Sequence, residues 1–204
     1  MLNIQPIRLL KGQHNDTGKT GQGCFMNVVA YLNGDVDITD YSPCVCRVIR
    51  VVAITLNDCS YDPERQALLP FIGRAMVSGS ADKTELLKRI SNLIDMTRSI
   101  IANTRLIYAV TGENLDKATK MFNRLGDNSL GQYRWNDECN EIADLCISSI
   151  GFTVTIGTWV ETKFIKNLLF KFLDDNLPHV SDDVDPVVVQ RTNKLIKNAQ
   201  EVRV

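Results

Sequence analysis

The sequence predicts an all-α protein of seven or eight helices. Apolar residues recur at helical spacing in most segments, and residues that favour helix starts and stops flank these segments. The alternating strand and helix pattern of an α/β nucleotide-binding fold is missing. The chain has 204 residues, of which 44% are hydrophobic and 23% are charged. These values are typical of a soluble globular protein, so we expect one domain over residues 1–204, with a polar loop at residues 1–20.

Helix signals in the first half predict four helices. A Ser-Pro or Asp-Pro pair is a typical helix start, with the first residue as the cap, and a glycine is a typical stop. The predicted helices are 24–32, stopped by Gly34; 42–57, opened by Ser42-Pro43; 62–79, opened by Asp62-Pro63 and kinked or broken at Pro70; and a longer helix capped by Ser80 or Asp82.

The second half predicts four further helices, at residues 113–125, 136–150, 159–173 and 186–202. One short window is ambiguous. Phe152, Val154 and Ile156 alternate with two threonines, which is the spacing of a strand. A short strand near residues 152–157 therefore competes with a helix there.

The charge balance and the cysteines limit the function classes. The chain has 23 Lys and Arg against 24 Asp and Glu, so we expect no general nucleic-acid binding. Residues 145–160 lack charge but are too polar and slightly too short to span a bilayer, and we expect no membrane partner. Six cysteines without a visible signal peptide favour a reducing cytoplasm. The paired spacing of a zinc site is absent, so we expect neither a metal nor a cofactor.

A glycine-rich stretch near the N-terminus resembles a phosphate-binding loop. Such a loop needs backbone amides around the phosphates, a lysine that reaches them and a hydroxyl for magnesium. Gly18, Lys19 and Thr20 supply these groups, but five residues separate Gly12 from Gly18 where the motif has four. An ordinary polar loop is the favoured interpretation, and a phosphate site is the alternative.

Polar residues at helix ends form the second candidate site. They are Asp40, Asn57, Asp58, Arg65 and Asp82. Helix capping explains several of them. Asn57-Asp58 at a helix end is less usual, because a helix C-terminus prefers positive groups. Arg65 could pair with Asp58, either as a structural contact or as a clamp for a polar ligand.

An ordered string of residues resembles a family of short phage and bacterial proteins with no established activity. The string contains Cys24, the segments 30–34 and 40–46, Leu56-Asn57-Asp58, the segment 65–70, and Gly79-Ser80 with Asp82. It covers residues 24–82, well under half of the chain. The resemblance implies a helical fold and a phage or bacterial setting, and it brings no catalytic residues.

No catalytic motif is evident, and two histidines, His14 and His179, lie in no recognisable site. We therefore expect a binding protein, such as a phage accessory factor that captures a host protein or a small polar ligand. A metal- or nucleotide-dependent hydrolase and a structural, oligomerising protein are the alternatives. Residues 159–173 carry apolar side chains around most of the predicted helix, so we expect that helix to be buried on several sides, favouring a homodimer.

Overall fold

The chain folds into helices almost throughout its described part. The computed structural model describes residues 7–12, 22–80, 82–104, 108–125 and 132–178. These residues form eight α-helices and one two-stranded parallel sheet, which confirms the predicted all-α class. They fall into two compact units, residues 7–80 with 176–178 and residues 82–175. The single domain expected from the sequence stays a prediction.

The first unit begins with the small sheet. Strand β1 (Arg8–Leu9) lies parallel to β2 (Gln22–Gly23), with Leu9 opposite Gly23. The polar loop predicted for residues 1–20 is therefore wrong at β1. Two residues are too few to show strand spacing, and long-range bonds hold this strand. The side chain of Gln66 donates to the Leu9 carbonyl and accepts from the Leu9 amide, at 2.8 and 3.0 Å.

Helix α1 (Phe25–Asn33) follows β2 directly and confirms the predicted helix at 24–32. Cys24 caps it, because its Sγ accepts from the Asn27 amide while the Asn27 side chain accepts from the Cys24 amide. Gly34 ends the helix with a positive φ of 79°, as the predicted stop requires. A Cβ on Gly23 would lie 2.7 Å from the Cβ of Asn27, so only glycine fits before this cap.

Helix α2 (Arg47–Cys59) starts later than predicted, so the predicted opening at Ser42-Pro43 is wrong. Contacts with a distant turn prevent a helix there. The Cys46 amide donates to Ser78 Oγ at 3.0 Å, and the Gly79 amide donates to the Cys44 carbonyl at 2.8 Å. These bonds hold the residues before α2 in a turn instead of a helical stretch.

The predicted helix at 62–79 is divided. Helix α3 (Asp62–Gln66) and helix α4 (Phe71–Met76) flank a turn that contains Pro70, and a 3-10 turn (Ser78–Ser80) follows. The break predicted at Pro70 is confirmed. The cap of α3 is Tyr61 instead of Asp62. Helix α1 packs against α2 and α4, and these three helices bury the core of the unit: Phe25, Met26, Val28, Val29, Val48, Ile49, Val52, Leu56, Ile72 and Ala75.

The second unit is built on three long helices that pack against each other. They are α5 (Lys83–Asn103), α6 (Tyr108–Leu125) and α7 (Gln132–Ile156). Lys83 lies over the ring of Trp135 at the start of α5 and α7, so these two helices run parallel. An ion pair between Lys117 and Glu141 and a bond from Ser149 Oγ to the Thr111 carbonyl show that α6 runs antiparallel to α7.

Three boundaries in this unit differ from the sequence prediction. Helices α6 and α7 begin before the predicted residues 113 and 136. The strand considered near 152–157 is wrong, because α7 continues to Ile156. The hydroxyls of Thr153 and Thr155 each donate to the carbonyl four residues earlier, which lets these β-branched residues continue the helix.

Helix α8 (Trp159–Asn176) confirms the helix predicted for residues 159–173. The helix predicted for residues 186–202 lies outside the described residues. By length and composition alone, residues Arg134–Ile156 of α7 could also cross a membrane. In the structure, α7 packs against both α5 and α6 and buries side chains such as Ile142, Cys146 and Ile150, and 39% of its apolar window is buried.

Candidate functional site

The five polar residues predicted as a ligand site belong to different elements of the chain. Asn57, Asp58 and Arg65 meet where α2 ends and α3 begins. Asp40 lies in the connector between α1 and α2, beside Cys24. Asp82 belongs to the other unit and caps α5, where it accepts from the Glu85 amide at 2.8 Å. A ligand site formed by all five residues stays a prediction.

Asn57 and Asp58 fix the chain after β1. The Asn57 side chain donates to the Leu10 carbonyl at 2.9 Å, and Asp58 Oδ1 accepts from the Gly12 amide at 2.9 Å. The two side chains also bond to each other. Gly12 has a φ of 77°, a conformation that suits glycine. Gly18, Lys19 and Thr20 of the phosphate-loop alternative lie outside the described residues.

Arg65 caps the C-terminal end of α2 from inside the protein. Its buried guanidinium donates to the carbonyls of Asn57 and Ser60 and pairs with Asp62 at 3.2 Å. The suggested pairing of Arg65 with Asp58 is wrong, because Asp58 bonds to the chain after β1 instead. Arg65 supplies the positive group that a helix C-terminus prefers, so its role here is structural.

Burial and a hydrogen bond to Asp40 keep the thiol of Cys24 protonated. The Cys24 thiol donates to Asp40 Oδ1, with 3.0 Å between sulfur and oxygen. Burial, followed by the hydrogen bond and the charge of Asp40, raises the pKa of Cys24 to about 12. A thiolate is the reactive form of cysteine, so this thiol is a poor nucleophile near neutral pH. Burial likewise raises the pKa of Cys146 to about 11.

All six cysteines are free thiols, and each of them lies within the described residues. Among these residues, no group of three or more His, Cys, Asp or Glu side chains is arranged to hold a metal ion. One surface cleft of about 720 Å³ lies along α6. It is open, and Glu113, Asp116, Lys117 and Lys120 give it charges of both signs, so it favours no single ligand charge.

The most unusual surface lies where α7 meets α8. We call Phe152, Ile156, Trp159 and Val160 the apolar corner, and these side chains are 42%, 44%, 67% and 68% exposed. They make up half of the exposed large apolar side chains among the described residues. The expectation that the whole of helix 159–173 is buried on several sides is therefore wrong at its first turn. The sequence signal was the uncharged run of residues 145–160.

Three backbone amides at the apolar corner are bonded within the chain. The Gly157 amide donates to the Thr153 carbonyl at 2.8 Å. Thr158 caps α8 reciprocally with Glu161: the Thr158 amide donates to Glu161 Oε2 at 2.7 Å, and the Glu161 amide donates to Thr158 Oγ1 at 3.3 Å. Lys163 lies over the ring of Trp159, with its Nζ 5.3 Å from the ring centre. These bonds fix the backbone between the end of α7 and the first turn of α8.

Comparison of the chain with protein-family models, with curated proteins and with solved structures finds no match. The resemblance of residues 24–82 to a phage and bacterial family, and the setting that it implies, stay predictions.

Proposed function

We propose that the protein is a binding protein whose recognition surface is the apolar corner. The observation that carries this proposal is the concentration of four exposed large apolar side chains within nine residues of chain. Single exposed apolar residues are ordinary, whereas clustered ones are typical of interaction sites. Tryptophan is also among the residue types that contribute most to binding energy at interfaces.

The polar residues predicted from the sequence support an apolar partner over a small polar ligand. Asn57, Asp58 and Arg65 bond to backbone groups of their own unit, and Asp82 bonds to the first turn of α5. These groups stabilise the fold and have internal partners. The apolar corner, by contrast, exposes surface whose removal from water is favourable by roughly 25 cal/mol per Å².

A dye that binds exposed apolar surface tests this proposal. We expect the native chain to bind bis-ANS saturably, and the double variant Trp159→Ser/Val160→Ser to bind it at least about tenfold more weakly, since each side chain removed is worth more than a factor of ten when buried. Fluorescence titration measures the binding, and urea unfolding checks that the double variant is folded.

The matched control is Val36→Ser, which removes an apolar side chain that is 98% exposed in the other unit. This control should bind the dye as the native chain does. Equal dye binding by the native chain and the double variant would show that the apolar corner is not the recognition surface.

A further inference from the structure

We infer that the apolar corner binds the interface of a lipid bilayer, into which Trp159, Val160, Phe152 and Ile156 insert without spanning it. This inference rests on the proposed function, because it names the partner of the same surface. It replaces the sequence expectation of no membrane partner, which considered only a segment that crosses the bilayer.

Charge is the first observation in favour of lipid. Residues 145–160 carry no charged side chain. The first charges of α8 are Glu161, which caps its own helix, and Lys163, which lies against the ring of Trp159. Tryptophan is enriched at the interface between hydrocarbon and headgroups, and lysine stems lie along apolar surface while their ammonium groups reach water. Trp159 with Lys163 matches that arrangement.

The internal hydrogen bonds of the corner are the second observation. A protein partner offers its own donors and acceptors, whereas hydrocarbon offers none, so polar groups that enter it must be bonded within the chain. At the corner, the amides of Gly157, Thr158 and Glu161 are bonded internally. The Thr155 hydroxyl, although exposed, donates to the Gly151 carbonyl at 2.8 Å. The amides of Trp159 and Val160 lie in the first turn of α8, where a helix leaves its amides without intrahelical acceptors, and the phosphate oxygens of lipid headgroups can accept from them. The corner therefore suits the boundary between hydrocarbon and headgroups.

Size argues against a second copy of the chain as the occupant. Four large side chains, each about half exposed, present apolar surface on the order of 400 Å² if a large side chain offers roughly 200 Å². A stable dimer buries about 800 Å² on each partner. Binding to a bilayer interface instead grows with the apolar area that inserts, and a small area gives reversible binding.

Vesicle flotation is the first test. We expect the full chain to float with phosphatidylcholine vesicles, and Trp159→Ser/Val160→Ser to lose at least about tenfold in partition coefficient. Val36→Ser should float as the native chain does. Salt should have little effect, because the charges of Glu161 and Lys163 at the corner are opposite. Binding that appears only with anionic vesicles and disappears in salt would overturn the inference.

Quenching by brominated lipid is the second test, because it reports which tryptophan enters the bilayer. The chain has two tryptophans, and Trp135 is buried. Vesicles that carry bromine on the acyl chains should quench the emission of the native chain. Trp159→Phe should still float, since phenylalanine is also apolar, but its remaining emission should not be quenched.

The outcomes separate the lipid inference from the proposed function. Dye binding that depends on the corner, without flotation, would overturn the lipid inference and leave the proposed function standing. Loss of both would overturn both. A dimer in sedimentation equilibrium that Trp159→Ser/Val160→Ser dissociates would assign the corner to a second copy and overturn the lipid inference.

Discussion

The guanidinium of Arg65 donates mainly to backbone carbonyls. Its guanidinium is buried and bonds to the Asn57 and Ser60 carbonyls at the end of α2, as well as to Asp62. A buried carbonyl that loses its donor costs roughly 1–3 kcal/mol, whereas an exposed ion pair contributes about 1 kcal/mol or less. The contribution of a charged residue to the free energy of unfolding therefore depends more on its burial and its backbone partners than on whether it forms an ion pair.

Replacing Arg65 tests this difference. Arg65→Met keeps an apolar stem but removes every donor, so we expect the free energy of unfolding to fall by about 3 kcal/mol. Urea unfolding measures the change. Arg98→Met is the matched control, since Arg98 pairs with Asp95 at the surface of α5, and it should cost less than about 1 kcal/mol. Equal losses in the two variants would contradict the capping role of Arg65.

At the scale of elements, close packing around one glycine sets where α2 begins. Gly79 belongs to the 3-10 turn that holds the residues before α2. A Cβ at Gly79 would lie 2.6 Å from the Pro43 carbonyl oxygen and 2.7 Å from the carbonyl of Cys44. Both neighbours are backbone atoms, which cannot move aside as a flexible side chain would.

Two glycine substitutions should therefore have opposite effects. Gly79→Ala forces the two backbone segments apart, and we expect it to destabilise the protein by about 2 kcal/mol. Gly151→Ala lies within α7 with nothing within 4 Å of the added methyl, so it should stabilise by about 0.5–1 kcal/mol. The urea midpoints of the two variants relative to the native chain provide the measurement. A stable Gly79→Ala would show that the turn before α2 is loosely packed.

Elements with local signals were predictable from the sequence. The stop at Gly34, the break at Pro70 and the cap at Asp82 act on neighbouring residues, and the structure shows all three. The start of α2 and strand β1 depend on Ser78 and Gln66, which lie far away along the chain. The residues near those two elements carry no pattern that indicates such distant partners, so the start of α2 and the presence of β1 could not be predicted.

The candidate sites were likewise predictable only where the signal is local. The sequence indicates that Asn57 and Asp58 are unusual residues for the end of α2. Their partners were not predictable, because the two side chains bond to a segment 46 or 47 residues away. The apolar corner was missed because spacing predicts which side chains can share a face and not which face is covered. Trp159 and Val160 resemble core residues in sequence and are exposed in the structure.

At the scale of the whole molecule, the buried thiols make stability depend on alkaline pH. Burial raises the pKa of Cys24 to about 12, of Cys146 to about 11, and also that of Cys44. Each pKa in the folded chain exceeds 9.0, the ordinary pKa of a cysteine, so the folded state holds protons that the unfolded chain loses. This stabilisation is complete below about pH 9 and is lost as pH rises toward the folded pKa values, at about 1.4 kcal/mol per pH unit for each thiol.

Comparison of variants isolates the contribution of Cys24 to this pH dependence of stability. Between about pH 9 and pH 10, the free energy of unfolding of Cys24→Ala should fall less steeply than that of the native chain, by about 1 kcal/mol per pH unit. Asp40→Asn keeps the thiol but removes a neighbouring charge. Because burial is the largest cause of the raised pKa, its slope in this range should stay close to the native slope and should level off at a lower pH. Identical slopes for all three proteins would mean that Cys24 is not buried as described.

The bonds between Leu9 and Gln66 also bear on the order in which the chain folds. Strand β1 pairs with β2, but the side chain that bonds to both backbone groups of Leu9 belongs to Gln66, 57 residues later. The junction of α2 and α3 needs only contacts five to eight residues apart, through Arg65. Contacts between distant residues cost more loop entropy and form more slowly, so we expect β1 to dock after this junction has formed. In pulsed hydrogen exchange during refolding, the Leu9 amide should gain protection later than the Arg65 amide.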